Sequence, residues 1–514
     1  MTRSIRYCLL ACYGMVLPIA GLAAQDPIEA VRTYLESHKA EVVAELRDFV
    51  AIPNVASDSV NIRRNAAMLA EMMERRGITT QVLEAGGPPV VYGEIGDPDL
   101  PTILFYCHYD GQPATPSEWA QEDPWVPILR SESMEAGGEL ITNWPEPGEE
   151  VNPDWRVYGR AASDDKAPIV ALLHMIDAWN DAGVRPPNRV KFLFEGEEES
   201  GSPHLADLVR QHRDLFAADL VVMGDGPIHP SRRPTADFGL RGISDATITM
   251  YGPIVAVHSG HYGNWAPNPA MRLAQLLATM KGPDGEVVIE GWEDDAVPFG
   301  ADEHAALATY PHDDESRRLQ LQLGSVEGNG ETRLERVSRP SLNVQGIQSL
   351  FVGDLRRNAV PDKAVAELDM RLVSGNDPFH QFEKLARHIE GQGYTVVSEE
   401  PDSATRVNTP RIVRVEYGGG YPAGRTPLGS PPAQGLMASL ERLGLGEPVI
   451  SPTMGGSGPA WVYTEVLGAP FVVVPTVNHD NNQHAKNENV RLGHVFRAMV
   501  ILAATASATL RAIP

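Results

Sequence analysis

Short apolar runs, each closed by a loop and often followed by a helical period, recur through the first half of this chain and again near its end. Thr102–Cys107, Val190–Phe194, Asp219–Met223 and Phe471–Val474 are rich in Val, Ile, Leu and Phe, as strands covered on both faces are. Ala30–Phe49 and Asn61–Arg76 carry a helical period instead, and Gly77 stops the second. The middle has another texture. Ile243–Met250 and Lys363–Val373 alternate like half-buried antiparallel strands, while Asn268–Met280 and Pro378–Ile389 read as helices.

These patterns predict an α/β protein with a mixed-sheet catalytic domain and helices on both of its faces. Two helices over an alternating sheet make a compact α+β unit inserted into it. The expected boundaries are 25–240 for the first catalytic part, 241–424 for the insertion and 425–514 for the second part, resuming at Arg425-Thr426-Pro427. The acidic, poorly periodic stretch 283–337 reads as an elaboration of the inserted unit. No internal repeat is apparent.

Length agrees, since 514 residues exceed one ordinary core. Residues 1–24 read as a secretory signal, with Arg3 and Arg6, an apolar stretch to Leu22, then Ala23 and Ala24. Gly14 and Pro18 interrupt it as a membrane anchor, and the run before Cys12 is too short for a lipoprotein box. A secreted or periplasmic protein is expected, with no membrane association after cleavage. Cys8 and Cys12 leave with the signal, so Cys107 stands alone and no internal disulfide can form. Removing the two arginines moves the net charge from −25 to −27, which disfavours nucleic acid and anionic membranes as partners.

Candidate chemistry lies just past the apolar runs and in Gly/Asp-rich loops. His108-Tyr109-Asp110, Ser163-Asp164-Asp165-Lys166, Glu197-Glu198-Glu199-Ser200-Gly201-Ser202, Gly224-Asp225-Gly226 and Gln483-His484-Ala485-Lys486-Asn487 supply imidazoles and carboxylates. Zinc, manganese and cobalt accept such donors, and a bridging Asp lets two cations share one pocket. Two cations a few ångströms apart can clamp both an attacking water and the carbonyl it attacks. In open α/β sheets ligands bind beyond the carboxyl ends of strands, and four of the five loops lie there.

The motifs Tyr106-Cys107-His108-Tyr109-Asp110-Gly111-Gln112-Pro113, Tyr158-Gly159-Arg160-Ala161-Ala162-Ser163-Asp164-Asp165-Lys166 and Glu198-Glu199-Ser200-Gly201-Ser202 resemble those of the dinuclear zinc exopeptidases. That family includes carnosine dipeptidases, glutamate carboxypeptidases and aminoacylases. The resemblance runs in order along nearly all of the mature chain. It departs at Ala167-Pro168, at Gly111 and in a Pro/Glu-rich insertion near 133–155, none of which removes a ligand.

The resemblance implies His108, Asp164, Glu199, Asp225 and His484 as metal ligands, with Asp164 bridging and often joined to the next Asp by a cis peptide. Asp110 would orient His108, as ligating histidines require. Glu198 becomes the general base, leaving Glu195 and Glu197 without a role. Composition alone allows plainer readings. Asp164 could cap the Ala167–Trp179 helix, Asp225 could serve a turn, and His479 competes with His484. Val257-His258-Ser259-Gly260 resembles a lid histidine that reaches the neighbouring protomer's site. Arg371 shares the strand Lys363–Val373 with Glu367 and Asp369; it could form a cross-strand ion pair, while the resemblance makes it the clamp for a substrate carboxylate. Gly456 and Ser457, in a Gly-rich loop, could offer backbone donors to that carboxylate.

The expected activity is dinuclear metal-dependent hydrolysis of the amide bond in dipeptides or small peptides with a free C-terminus. Zinc is the first choice of metal, with manganese or cobalt as alternatives. Removal of an acyl group from an amino acid is the runner-up, and a peptide-binding protein without catalysis is the rival from another class. The resemblance also implies that the inserted unit is a ferredoxin-like lid through which a homodimer forms.

Overall fold

The computed structural model describes residues 25–84 and 86–511, so the expected signal lies outside the described residues. Its largest sheet has eight strands, in the order Thr79–Leu83, Val90–Ile95, Arg189–Glu195, Thr102–His108, Leu220–Met223, Phe471–Val473, Thr235–Asp237 and Val449–Ser451. The four central strands, from Arg189–Glu195 to Phe471–Val473, run parallel to one another. Antiparallel pairs join them to Val90–Ile95 on one side and Thr235–Asp237 on the other, so the sheet is mixed.

Apolar composition explains the central position. Every residue of Thr102–His108 is buried, as is all of Arg189–Glu195 beyond its first residue. One face packs against helices Ser59–Glu74, Ala167–Ala182 and Leu492–Ala506, with Trp179, Phe192 and Met499 in one cluster. The other face carries Leu205–Gln211 and the segment around Tyr463. A smaller four-stranded sheet joins Asn489–Arg491 to Arg156–Tyr158, Ile128–Arg130 and Leu140–Ile141.

The N-terminal helical period divides into Pro27–Leu35 and Lys39–Val50 rather than one helix over Ala30–Phe49. The cause is local. The Glu36 and Ser37 amides turn to carbonyls three residues back, Thr33 at 3.1 Å and Tyr34 at 3.2 Å, which tightens the last turn, and the His38 imidazole stacks on Tyr34 at 4.0 Å.

A second sheet has five strands, ordered Ser341–Gln348, Lys363–Leu372, Gly242–Tyr251, Ile412–Tyr421 and Thr395–Val397. Helices Pro269–Leu277 and Pro378–Gly391 cover one face, where Ile248, Leu368, Leu273 and Leu385 are buried together. A two-residue antiparallel pairing, Gly239–Leu240 with Gly424–Arg425, joins the two chain crossings between the sheets. The molecule is thus an α/β unit carrying an inserted α+β unit.

Candidate dinuclear metal centre

Because the four central strands are parallel and adjacent, their carboxyl ends open on one edge of the sheet. His108 is the last residue of its strand, Glu198 and Glu199 follow Glu195, Asp225 follows Met223, and His484 lies on the loop after Val473. Asp164 comes from an irregular turn, Ala162–Lys166, ahead of helix Ala167–Ala182. The Asp164–Asp165 peptide is cis. Asp164 does not cap that helix, and its side chain faces two histidines instead.

His108 Nε2 lies 2.9 Å from Asp164 Oδ1 and 4.0 Å from Asp225 Oδ2. His484 Nε2 lies 3.0 Å from Asp164 Oδ2 and 3.1 Å from Glu199 Oε2. Two trios result, His108–Asp164–Asp225 and Asp164–Glu199–His484, each with donor atoms within 4.8 Å of one another. Asp164 belongs to both, one oxygen to each. The five residues singled out in the sequence therefore converge, while His479 stands outside both trios.

Asp110 sets the surrounding frame. Its Oδ1 is 3.3 Å from His108 Nδ1, and its two oxygens accept the Glu198 and Glu199 amides at 3.1 Å each. One carboxylate thus fixes the histidine ring and the acidic turn together. Glu195 and Glu197 find structural partners. Glu195 accepts from Tyr106 Oη at 2.6 Å and Ser202 Oγ at 3.0 Å, and Glu197 pairs with His204. Burial pushes the Glu198 carboxyl well above its usual range, with Asp225, Glu199 and Asp164 adding to it against His108. Burial and Asp164 bring Asp225 up to about 7. At Asp164 burial also acts upward, but bonds from His108 and His484 outweigh it and hold the carboxyl low. Those bonds to Asp164 and Glu199 raise His484 to about 10.

Glu488 emerges only from the structure. Fully buried, it accepts from Arg160 Nη1 at 2.8 Å, the Ala161 and Ser163 amides at 3.0 Å, Ser163 Oγ at 3.0 Å and the Asp164 amide at 3.1 Å. It sits four residues beyond His484, so one side chain ties the His484 loop to the Asp164 turn. Gln112 Nε2 donates to Glu199 Oε2 at 2.8 Å, and Gln483 Nε2 to Asp164 Oδ2 at 3.3 Å. Polar residues in Gly/Asn-rich loops look solvated in sequence, which hides such partners.

A cavity of about 740 Å³ opens over the cluster, bordered by Asp164, Glu198, Asp225, His484, Trp461 and the Gly456–Gly458 loop. Arg371 Nη1 donates to Ser457 Oγ at 2.7 Å, and no ion pair to Glu367 or Asp369 forms among the described residues. No residue of 133–155 lines the cavity. His258 is exposed, pairs through Val257–His258 with Ala359–Val360, and is absent from this cavity's walls.

The donor set fits two divalent cations. Asp225 Oδ1 and both Asp165 oxygens are buried without a hydrogen-bond partner, and the clustered carboxylates outnumber the two imidazoles. Imidazole and carboxylate oxygen suit zinc, manganese and cobalt alike.

The model of peptidase family M20/M25/M40 matches residues 104–508. The chain belongs to this family. It is a metal-dependent peptidase of the family's α/β architecture. Among its relatives, the human Beta-Ala-His dipeptidase is 26% identical, covering 96% of this chain and 96% of the relative. The Cys-Gly metallodipeptidase of Schizosaccharomyces pombe is 28% identical, covering 66% of this chain and 70% of the relative. The solved M20 metallo-carboxypeptidase Sso-CP2 of Sulfolobus solfataricus superposes with a TM-score of 0.74 at 26% identity, covering 91% of this chain and 99% of that one.

Proposed function

We propose that this chain hydrolyses the amide bond of dipeptides or small peptides with a free C-terminal carboxylate, using two divalent cations, zinc first. One observation carries the reading: a single carboxylate, Asp164, is shared by two donor trios at the floor of a cavity that Glu198 borders. The dipeptidase names of the relatives favour a peptide over an N-acyl amino acid.

Bound at the two trios, the cations supply Lewis acidity toward water and the scissile carbonyl. His108, Asp164 and Asp225 would hold one, and Asp164, Glu199 and His484 the other. Glu198, on the rim of the same cavity, would take the proton of the attacking water and return it to the leaving amine. Asp110 keeps the Glu198 turn fixed while this happens. Arg371 and the Gly456-Ser457 loop clamp the substrate's carboxylate.

His258 acts across a homodimer formed by the inserted unit. Strand Ser341–Gln348 lies at the edge of its sheet, and Ile347, Phe351, Val352 and Trp265 are exposed on the same unit. Such an edge with apolar neighbours suits a second copy of the chain. Among the described residues no helix is long and apolar enough to cross a membrane. Export follows from the signal pattern of residues 1–24 alone.

Turnover of dipeptides and N-acetyl amino acids, with zinc, manganese and cobalt added in turn, tests the activity. Hydrolysis of the acylated set alone overturns it. Mixing inactive His258→Ala and Glu198→Gln proteins should restore part of the activity, because one site then has both a good base and a good lid histidine. No rescue after confirmed subunit exchange refutes the cross-dimer role.

A further inference from the structure

A second cavity, of about 450 Å³, lies outside the metal site, between the 281–287 hairpin, the 314–337 segment and the start of strand Ser341–Gln348. Its size is that of a small-molecule site. Part of its wall is apolar and open to solvent: Leu321, Leu323 and Val326 are 61%, 43% and 62% exposed, and Val337 and Leu342 line it deeper in. Solvent-facing leucines and valines gathered around one concavity suit an apolar occupant.

The polar side of the cavity is cationic. Lys281 and six arginines line it against five carboxylates, and most of these cations are already paired. Arg317 pairs with Asp313, Arg318 with Glu315, and Arg336 and Arg339 share Glu331. Arg241 is different. It is 5% exposed, and among the described residues no carboxylate lies within ion-pair distance of it. Its Nη2 donates only to neutral oxygens, Arg339 O at 2.7 Å, Ser341 Oγ at 3.1 Å and Arg371 O at 3.1 Å. Its Nε is buried without a partner. Asp369 is the acid that acts on it electrostatically, and that carboxylate already accepts from Asn343 and Gln345. A buried guanidinium without a counter-ion is costly unless an anion joins it.

We propose that this cavity binds a small amphipathic carboxylate, with the carboxylate on Arg241 and the apolar body along Leu321, Leu323, Val326 and Val337. Such a ligand completes the unpaired guanidinium and covers the exposed leucines and valines at once. A neutral apolar molecule does only the second, and a short carboxylate only the first.

The test uses the full-length, metal-loaded protein and calorimetry with octanoate, octanamide and propionate. Octanoate should bind saturably at one site per chain, and the other two at least about tenfold more weakly, as expected for loss of a charge-assisted bond or of the apolar contact. Leu321→Trp, at the solvent-exposed mouth of the cavity, should weaken octanoate by at least about tenfold while leaving dipeptide turnover and melting temperature unchanged. Leu323→Trp, on the same exposed wall, gives the same reading should Leu321→Trp misfold. Equal affinity for octanoate and octanamide overturns the proposal. So does octanoate binding that survives both tryptophans but disappears with the metals, which places it at the catalytic centre. A change in oligomeric state on blocking the cavity assigns the surface to a protein partner and also overturns it.

Discussion

The two large sheets of this molecule use opposite solutions to the same covering problem. The eight-stranded sheet is packed on both faces across its four central strands, and the carboxyl ends of those strands carry the donors of the site. The five-stranded sheet is packed on one face and ends in a strand, Ser341–Gln348, whose residues from Asn343 onward are exposed. Precision and adaptability are thereby separated. The buried sheet fixes donor atoms to within ångströms, and the half-open one supplies surfaces that other molecules can complete.

Substitutions in the first sheet's site should therefore be severe and local. Glu198→Gln should lower turnover by at least about 10²-fold while bound metal stays unchanged. Loss of metal with that change reverses the roles of Glu198 and Glu199. Metal analysis sharpens the point: Asp164→Ala should release both cations, whereas Asp225→Ala should release one.

Glu488 tests whether the frame around the ligands matters as much as the ligands. With its carboxylate accepting five donors, Glu488→Gln leaves several unmatched, and metal affinity should fall by roughly 10–100-fold. Titration with a chelator reads this directly. An unchanged affinity with a lowered melting temperature makes the residue a fold element only.

Arg371 lies on the second sheet but reaches toward the first, so it probes the junction. Losing a charge-assisted bond to a buried carboxylate costs about 1.5–3 kcal/mol, so Arg371→Met should lower kcat/KM by roughly one to two orders of magnitude on free peptides. C-terminally amidated peptides should suffer much less. Equal losses on both substrates leave Arg371 as a support for Ser457.

The smallest effect concerns the covering of the buried sheet. His494, on helix Leu492–Ala506, is kept neutral by burial and by Arg491, Arg232 and Arg497, with Asp480 opposing, and its pKa falls to about 3. A lowered folded value means that its stabilisation is complete above the unfolded value near 6.5 and is lost as pH falls toward 3. By linkage the loss reaches about 2 kcal/mol at pH 5, and His494→Gln should be spared it. Urea unfolding of both proteins at pH 7 and pH 5 measures the difference, and parallel pH profiles refute it.

Sequence exposed the first sheet better than the second. Strands buried on both faces read as unbroken apolar runs, and a ligand that follows such a run is easy to find, as with His108 after Thr102–Cys107. Asp164 was legible through its motif, not through strand pattern, since it lies on an irregular turn. Glu488 was hidden because a buried acid is defined by distant donors, here Arg160 and the 161–164 amides. The break at His38 was hidden too, since no Pro or Gly marks it. In the 283–337 stretch, helices Ala301–Thr309 and Asp314–Gln320 alternate with loops, and the cavity among them follows from packing that no periodicity encodes.

Strand Phe471–Val473 sits inside the eight-stranded sheet, between Leu220–Met223 and Thr235–Asp237. A chain emerging from a ribosome presents both neighbours more than two hundred residues before the strand that separates them. The sheet can close only after the inserted unit has been made, so the inserted unit has time to fold first. Premature closure would need Leu220–Met223 to pair with something else. The late strand also brings the loop to His484, so the pocket forms last. An unfinished chain therefore carries His108, Asp164 and Asp225 without the His484 that completes the other trio.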